Sequence, residues 1–122
     1  KDMKELILQP QSEIGHFRQF LAENGYRIIE EDMVEEEKKY YPMMKAVQGS
    51  MNYTKKAEYL YGKKLLEKRH PVLREFLEKE DRASRELLKK LTQVETSSAE
   101  KRKEELQEEI RDRKEALAYY EM

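Results

Sequence analysis

The residues best suited to chemistry lie in a basic, tyrosine-containing stretch in the middle of the chain. Between residues 55 and 69 the sequence carries six basic and two acidic side chains, with tyrosines interleaved. Lysines can neutralise phosphates and tyrosine rings can stack on bases, so this composition predicts contacts with RNA. The candidate RNA-binding residues are Lys55, Lys56, Tyr59, Lys63, Lys64, Lys68 and Arg69.

The same stretch has a purely structural alternative. Ala57, Leu60, Tyr61 and Leu65 follow a helical spacing. They could form the buried stripe of a helix whose lysines only solvate the opposite face. The sequence leaves both interpretations open.

Other reactive residue types predict no metal site. His16 and His70 lie in different elements and have no acidic residue at ligand spacing, so a surface position and a helix boundary are the natural interpretations. The run Glu35-Glu36-Glu37 is typical of a solvated hairpin tip. Because the chain has no cysteine, a thiolate zinc site is excluded. A metal-dependent hydrolase therefore lacks its ligands.

The glycines exclude a cofactor site of the usual α/β kind within this sequence. The four glycines are Gly15, Gly25, Gly49 and Gly62, and they are scattered along the chain. A dinucleotide or methyl-donor site needs glycines clustered after the first strand, where the backbone approaches the ligand. We therefore assign no cofactor-binding residue to this chain.

The composition limits the size of any core. Of the 122 residues, 42% are charged and 38% hydrophobic, and the mean hydropathy is -1.07. Part of the chain should therefore be extended helix, or should bury itself on something else. The net charge of -1 gives no overall attraction to nucleic acid or membrane. No apolar run approaches the roughly 20 residues of a membrane span, so a soluble, cytoplasmic protein is predicted. The start at Lys1, without Met, suggests a cut or processed end.

The first part of the chain predicts a small sheet. Residues 4–9 form a short apolar run, typical of a strand buried on both faces. Residues 12–24 follow with helical spacing of apolar side chains. Residues 26–35 and 40–48 should pair as an antiparallel hairpin across Glu36-Glu37-Lys38.

The second part predicts only helices. We expect helices over residues 54–68, 71 to about 95, and about 98–120, with a break at Arg69-His70-Pro71. Ser97, with Glu100 three residues later, has the form of a capping box. The predicted domains are accordingly 1–50, a strand, helix and hairpin unit, and 51–122, a helical unit.

A seven-residue pattern in the last two helices predicts an antiparallel coiled hairpin. In the expected alignment Val94 faces Ala99 and Leu87 faces Leu106. The same alignment places Glu80 opposite Arg113, as a charged pair that fixes the register. The seam positions are Leu73, Leu77, Glu80, Ser84, Leu87, Leu91 and Val94, then Ala99, Lys103, Leu106, Ile110, Arg113, Leu117 and Tyr120.

Several of these segments resemble one known family. They are Leu6-Ile7-Leu8-Gln9-Pro10, the helix with Arg18 and Leu21, Asn24-Gly25-Tyr26, Glu35-Glu36, Lys39-Tyr40-Tyr41, Tyr61-Gly62, Leu65-Leu66 and Pro71 with the long charged helices. Together they resemble the C-terminal half of the bacterial tRNA (adenine(22)-N1)-methyltransferase family. The likeness covers nearly the whole chain.

The resemblance implies an α+β fragment. It would hold the last three strands and one helix of a class I methyltransferase (Rossmann-like) sheet, followed by a helical antiparallel coiled-coil domain. The strands would be the fifth, sixth and seventh, with the last inserted antiparallel between the other two. S-adenosylmethionine and the catalytic residues would belong to the first half of the parent, so the fragment alone would bind no cofactor and be inactive. Gln9 and Pro10, at the carboxyl end of a strand, would border the substrate pocket.

Two functions follow from the sequence. The first is the C-terminal portion of a tRNA methyltransferase that modifies N1 of an adenine, with tRNA and a missing N-terminal half as partners. The alternative is a non-enzymatic coiled-coil module for protein interaction. A three-stranded sheet without its neighbours should also expose an edge through which the chain could self-associate.

Overall fold

The computed structural model describes residues 5–121. Residues 1–4, which include the first residue of the first predicted strand, and residue 122 lie outside the described residues. The elements in chain order are β1 (Leu6–Leu8), α1 (Ile14–Glu23), β2 (Tyr26–Glu36), β3 (Lys39–Gln48), a π-helical turn (Glu58–Gly62), α2 (Lys63–Glu67), α3 (Pro71–Leu91), α4 (Ser97–Leu117) and a 3₁₀ turn (Ala118–Glu121).

The sheet has its last strand in the centre. The strand order is β1-β3-β2, and β3 pairs antiparallel with both neighbours. Ala46 lies opposite Leu6 on one side and opposite Ile28 on the other. The predicted hairpin and the insertion of the last strand between the other two are therefore confirmed.

One face of the sheet carries the packing. Met44 and Ala46 of β3 are buried with Leu21 of α1, and Tyr40, two pleats away on the same face, packs against the helical part. On the opposite face Ile7 is 74% exposed. The prediction that β1 is buried on both faces is wrong for this chain, because β1 is an edge strand with helices on one side only.

The β2–β3 connection is a tight two-residue turn. Glu37 and Lys38 have φ angles of 53° and 66°, both in the left-handed region. The backbone N–H of Lys38 donates to Glu35 Oε2 at 2.8 Å. Such turns favour Asn-Gly, since non-glycine residues with positive φ are strained. The polar tip predicted at this place is thus real, but the backbone there is held in a costly conformation.

The helical part begins less regularly than predicted. In place of one helix over 54–68, the chain makes a π-helical turn and then the short helix α2. The predicted break is confirmed. Arg69 adopts a left-handed φ of 50°, and His70 caps α3 by accepting the N–H of Val72 on Nδ1 at 3.2 Å. Pro71 then occupies the first turn, where its missing N–H is harmless.

Helices α3 and α4 form the predicted antiparallel hairpin. Helix α3 ends at Leu91, four residues before the predicted end near residue 95. The cap of α4 is Thr96, whose Oγ1 accepts the N–H of Ala99 at 3.1 Å, so the capping signal predicted at Ser97 is one residue late. Among residues 5–121 no helix is both long and apolar enough to cross a bilayer.

The seam departs from the strict seven-residue pattern near the hairpin turn. Leu87 and Val94 are exposed, whereas Leu88 and Leu91 are half-buried. The predicted Leu87–Leu106 and Val94–Ala99 contacts are therefore wrong. A straight α-helix drifts by about 20° per heptad relative to a strict repeat, so after Ser84 the next inward position is four residues on, not three.

Candidate functional site

A groove opens at the sheet edge where the substrate pocket was predicted. Strand β1 ends at Leu8, but β3 continues past it toward the hairpin turn, leaving a gap that α3 borders. The gap has a volume of about 680 Å³. Its lining includes Gln9, Pro10, Tyr40, Tyr41, Phe76 and Lys79. We call it the hairpin-edge groove. Gln9 and Pro10 both line it, and their contact with substrate stays a prediction.

Tyr40 forms a fixed wall of the groove. Its ring meets Phe76 edge to face at 5.2 Å, and its hydroxyl donates to Glu75 Oε1 at 2.9 Å. Lys79 Nζ lies 5.4 Å from the ring centroid and donates to the Lys38 carbonyl at 3.4 Å. Desolvation, and then the bond to Glu75, raise the pKa of Tyr40. Its hydroxyl therefore remains a donor, and the wall is rigid.

The basic stretch lies beside the helical hairpin, and part of it forms internal contacts. Lys56 Nζ pairs with Asp112 Oδ2 at 3.1 Å, and this hydrogen bond raises the pKa of Lys56. Lys55 Nζ lies 5.4 Å from the ring centroid of Tyr119. Both lysines thus face α4 or the turn that follows it, and their charges are partly satisfied within the chain.

Three of the remaining predicted RNA-binding residues make contacts within the chain, and the other two are half-buried. Lys68 Nζ donates to the Glu31 carbonyl at 2.6 Å, and Arg69 Nε donates to the Tyr119 carbonyl at 2.9 Å. The Tyr59 ring packs edge to face against Tyr53 at 6.0 Å. Lys63 and Lys64 are half-buried at the start of α2. The predicted burial of Ala57 and Leu65 is confirmed, since both are fully buried. Contact of the basic residues with RNA stays a prediction.

A buried arginine joins the sheet to the helices, and sequence reasoning did not find this role. Arg18, only 2% exposed, directs Nε and Nη2 at Glu31 Oε1, each at 2.9 Å. Its Nη1 donates to the carbonyls of Tyr59 and Leu60, both at 3.0 Å. One side chain therefore fixes α1, β2 and the π-helical turn together. We call this set the Arg18 junction.

Gly62 is required by the Arg18 junction. A Cβ at this position would lie 2.8 Å from Glu31 Oε1 and 2.9 Å from Arg18 Nη2, and its φ of +105° also disfavours other residues. A glycine inside a helical pattern is the one sequence signal that could have indicated a close approach here. Its partners, 31 and 44 positions earlier in the chain, carry no such signal.

The glycines of the described residues do not fit an S-adenosylmethionine site. Gly62 packs on the ion pair, and a Cβ on Gly15 would lie 3.0 Å from the Leu60 side chain. The turn after β1 reads Gln9-Pro10-Gln11, with no glycine that would let the backbone approach a ligand. Gly15 and Gly62 serve packing inside the chain and form no glycine-lined cradle for that cofactor.

Arg113, which was predicted to pair with Glu80, contacts other residues. Arg113 Nη2 donates to Ser84 Oγ at 2.8 Å and to Glu109 Oε1 at 3.4 Å, and Nη1 lies 3.9 Å from Asp81 Oδ1. Within residues 5–121 no ion pair joins Arg113 to Glu80, so the prediction is wrong in its acidic residue. Helical side chains tilt toward the N-terminus of their own helix. In an antiparallel hairpin this carries Arg113 toward Ser84 and Glu80 in the opposite direction.

His70 has a structural role. Its Nε2 lies 2.6 Å from Asp32 Oδ1 while Nδ1 caps α3, which confirms the predicted helix boundary. The Met33 N–H lowers the pKa of Asp32 most, desolvation partly opposes it, and the bond to His70 lowers the pKa further. Within the described part of the chain no group of three or more His, Cys, Asp or Glu side chains is arranged to hold a metal ion.

The order of strands and helices in this chain recurs in solved structures of Rossmann-superfamily proteins. It is similar to a crystal structure of a protein in the NADB-Rossmann superfamily from Streptococcus agalactiae, with 32% identity and a TM-score of 0.76, over 93% of this chain and 48% of that chain. The sequence model of the tRNA (adenine(22)-N(1))-methyltransferase family matches residues 1–115. The chain belongs to this family, as its resemblance implied.

Two further solved structures share the fold at lower identity. The Bacillus subtilis m1A22 tRNA methyltransferase TrmK is 24% identical with a TM-score of 0.79, over 93% of this chain and 51% of that one. The M. capricolum TrmK in complex with S-adenosyl-homocysteine is 18% identical with a TM-score of 0.73, over 94% of this chain and 49% of that one. A comparison with curated proteins finds no match. The chain therefore spans about half the length of the solved structures that it matches.

Proposed function

We propose that this chain is the C-terminal portion of an S-adenosylmethionine-dependent methyltransferase that modifies N1 of an adenine in cytoplasmic tRNA. The observation that carries the proposal is the family match over residues 1–115, which includes both the sheet and the helical hairpin. The cofactor and the catalytic residues belong, in this proposal, to an N-terminal half that this chain lacks. The fragment alone is inactive.

The two parts of the chain have separate tasks in this proposal. Residues 1–50 close the sheet of the methyltransferase domain, and Gln9 and Pro10 border the pocket that receives the adenine. Residues 51–122 hold the tRNA. A base methylated at N1 must be reached outside its stack, so an open sheet edge next to an RNA-holding helical unit suits the reaction. The alternative of a non-enzymatic interaction module is less well supported, because the family match continues past the β2–β3 hairpin and through most of the helical hairpin.

A chimera tests the proposed activity. The first half of Bacillus subtilis TrmK is joined to this chain in place of its own second half, and methyl transfer from S-adenosylmethionine to tRNA is measured, with the modified atom mapped. We expect methylation at adenine N1 by the chimera and none by the 122-residue chain. The native enzyme and its isolated first half serve as controls. Methyl transfer by the 122-residue chain alone would contradict the proposal, as would a folded but inactive chimera.

The proposed hold on tRNA has its own test. Lys63 and Lys64, the two candidate lysines whose ammonium groups make no hydrogen bond, ion pair or cation–π contact within residues 5–121, are replaced together by Glu. The slope of log K against log salt should become shallower by about 0.9 for every phosphate that the variant no longer neutralises. Lys89 and Lys90, exposed in the last turn of α3, provide the charge-matched control. Equal effects of the two pairs would count against a specific role for α2.

A further inference from the structure

We propose that the hairpin-edge groove binds one unpaired nucleotide of the RNA substrate, with the base stacked on Tyr41. The inference rests on the proposed function and deepens it by naming the surface that contacts a base. It differs from the sequence prediction, which placed base stacking on the tyrosines of the stretch 55–69. The internal contacts of that stretch leave the groove as the better stacking site.

Tyr41 supplies the stacking surface. It is 40% exposed, it lines the groove, and it follows Tyr40 on the other side of the β3 pleat. The Tyr40 ring, in contrast, packs edge to face on Phe76, and its hydroxyl donates to Glu75. An exposed aromatic ring in a groove is the kind of surface on which unpaired bases stack in single-strand binding proteins.

The polar lining suits a base better than a run of phosphates. Gln9 and Gln11 are exposed on the groove, and an amide both donates and accepts, as the edge of a purine requires. Lys38, Lys39 and Lys79 line the groove and can neutralise a phosphate. Glu36 and Glu80 also line the groove, and their carboxylates repel a continuous phosphate backbone. The mixed charge therefore favours a single nucleotide.

The strained turn keeps these groups at the groove. Glu37 and Lys38 both hold positive φ without being glycine. The conformation is maintained from two sides, by the Lys38 N–H on Glu35 and by Lys79 on the Lys38 carbonyl. Strain that the surroundings enforce is concentrated at functional sites. Here it sets the start of β3, and with it the position of Tyr41.

The free edge of β3 does not suit the main alternative ligand, a peptide strand. Because β1 ends opposite Met44, the stretch of β3 from Lys39 to Met43 has no strand on that side within the described residues. Pro42 lies inside this stretch and has no N–H to donate. A peptide added as a strand needs a continuous row of donors and acceptors, so the groove is a poor edge for a protein partner.

The test compares two RNA probes with the 122-residue chain. One probe is an RNA hairpin with an unpaired loop, and the other is a blunt duplex with the same stem. We expect Tyr41→Ala to weaken binding of the looped RNA about 10-fold or more and to leave duplex binding unchanged. Tyr41→Phe keeps the aromatic face and should stay within about 2-fold of the original affinity. Lys89→Glu is the distant control.

Photocrosslinking provides a second readout that does not depend on a variant. Loop RNA carrying 4-thiouridine should crosslink to the peptide that contains Tyr41. Crosslinks confined to residues 55–69, or equal weakening by Tyr41→Ala and Tyr41→Phe, would overturn the proposal. So would unchanged binding in Tyr41→Ala while Lys63 and Lys64 variants bind less well. In those cases methylation by the chimera would still support the proposed function, so the two failures are distinguishable.

Discussion

Two buried arginines show how differently the two parts of this chain are specified. In the Arg18 junction a carboxylate and two backbone carbonyls satisfy the guanidinium, and a glycine makes room for it. In the helical hairpin Arg113, 5% exposed, reaches Ser84, but its Nη1 has no hydrogen-bond partner among the described residues and Asp81 stays at 3.9 Å. The junction is fully paired, whereas the hairpin tolerates an imperfect contact.

The difference in pairing between the two arginines shows which contacts fix the relative positions of the elements. A buried charge that is fully paired allows one arrangement of its partners, because any displacement leaves an uncompensated charge in a region of low dielectric. A hairpin of two helices is aligned mainly by apolar packing, and one imperfect polar contact changes it little. The relative position of sheet and helices therefore depends more on Arg18 than the register of the hairpin depends on Arg113.

The largest effect should follow removal of the junction carboxylate. Glu31→Ala leaves the Arg18 guanidinium buried without its counter-charge, and we expect the free energy of unfolding to fall by about 3–5 kcal/mol. Urea denaturation measures the decrease. The double variant Arg18→Met with Glu31→Leu should recover much of it, because no charge then remains buried. A decrease from Glu31→Ala no greater than that from Arg113→Met would break the comparison.

Gly62→Ala should have the next largest effect. The new methyl group would press on the Glu31 carboxylate, which Arg18 and the Lys64 N–H hold in place, and the backbone φ is unfavourable as well. We expect stability in urea denaturation to fall by about 2–3 kcal/mol. Gly25→Ala is the matched control. Gly25 also has a positive φ, but a Cβ there meets nothing within 4 Å, so its smaller effect measures the conformational part alone.

Arg113→Met should change stability by about 1 kcal/mol or less. Methionine retains most of the apolar contact and removes a guanidinium that is only partly paired, and such exchanges are often neutral. Thermal unfolding measures the change. Leu106→Ala, in the same seam, should lower stability by about 2–5 kcal/mol and shows that the assay detects damage to the hairpin. A large decrease from Arg113→Met would mean that the hairpin is specified as strictly as the junction.

The smallest effect should be a pH dependence of stability that arises from Asp32, where the sheet contacts the helical part. The Met33 N–H and His70 lower the pKa of Asp32 below its usual 3.8. The carboxylate therefore contributes stability that is fully present above 3.8 and is lost as the pH falls through the lower pKa of the folded state. Asp32→Asn keeps the shape without the charge. The difference between the urea midpoints of the two proteins should be small at neutral pH, should decrease as the pH falls below 3.8, and should vanish below the pKa of the folded state.

Local patterns were sufficient to predict most of the elements, though not the π-helical turn, because their signals lie within a few residues. The alternation along 26–35 and 40–48 predicted the hairpin, and Arg69-His70-Pro71 predicted the helix break. The Arg18 junction could not be predicted, since periodicity does not say which charged residue points inward. The carbonyls that bind Arg18 lie 41 and 42 positions later in the chain. The predicted pair at Arg113 was misplaced because spacing alone omits the tilt of helical side chains.

At the π-helical turn, the number of residues determines the direction in which the backbone carbonyls point. Such a turn holds one residue more than an α-turn in the same place, and each residue of an α-helix corresponds to a rotation of about 100°. Deleting one residue from Glu58–Gly62 would rotate the Tyr59 and Leu60 carbonyls away from Arg18. The same deletion between residues 92 and 95 only shortens the loop before the Thr96 cap of α4. A single deletion can thus reorient the helical hairpin at one place and be silent at the other.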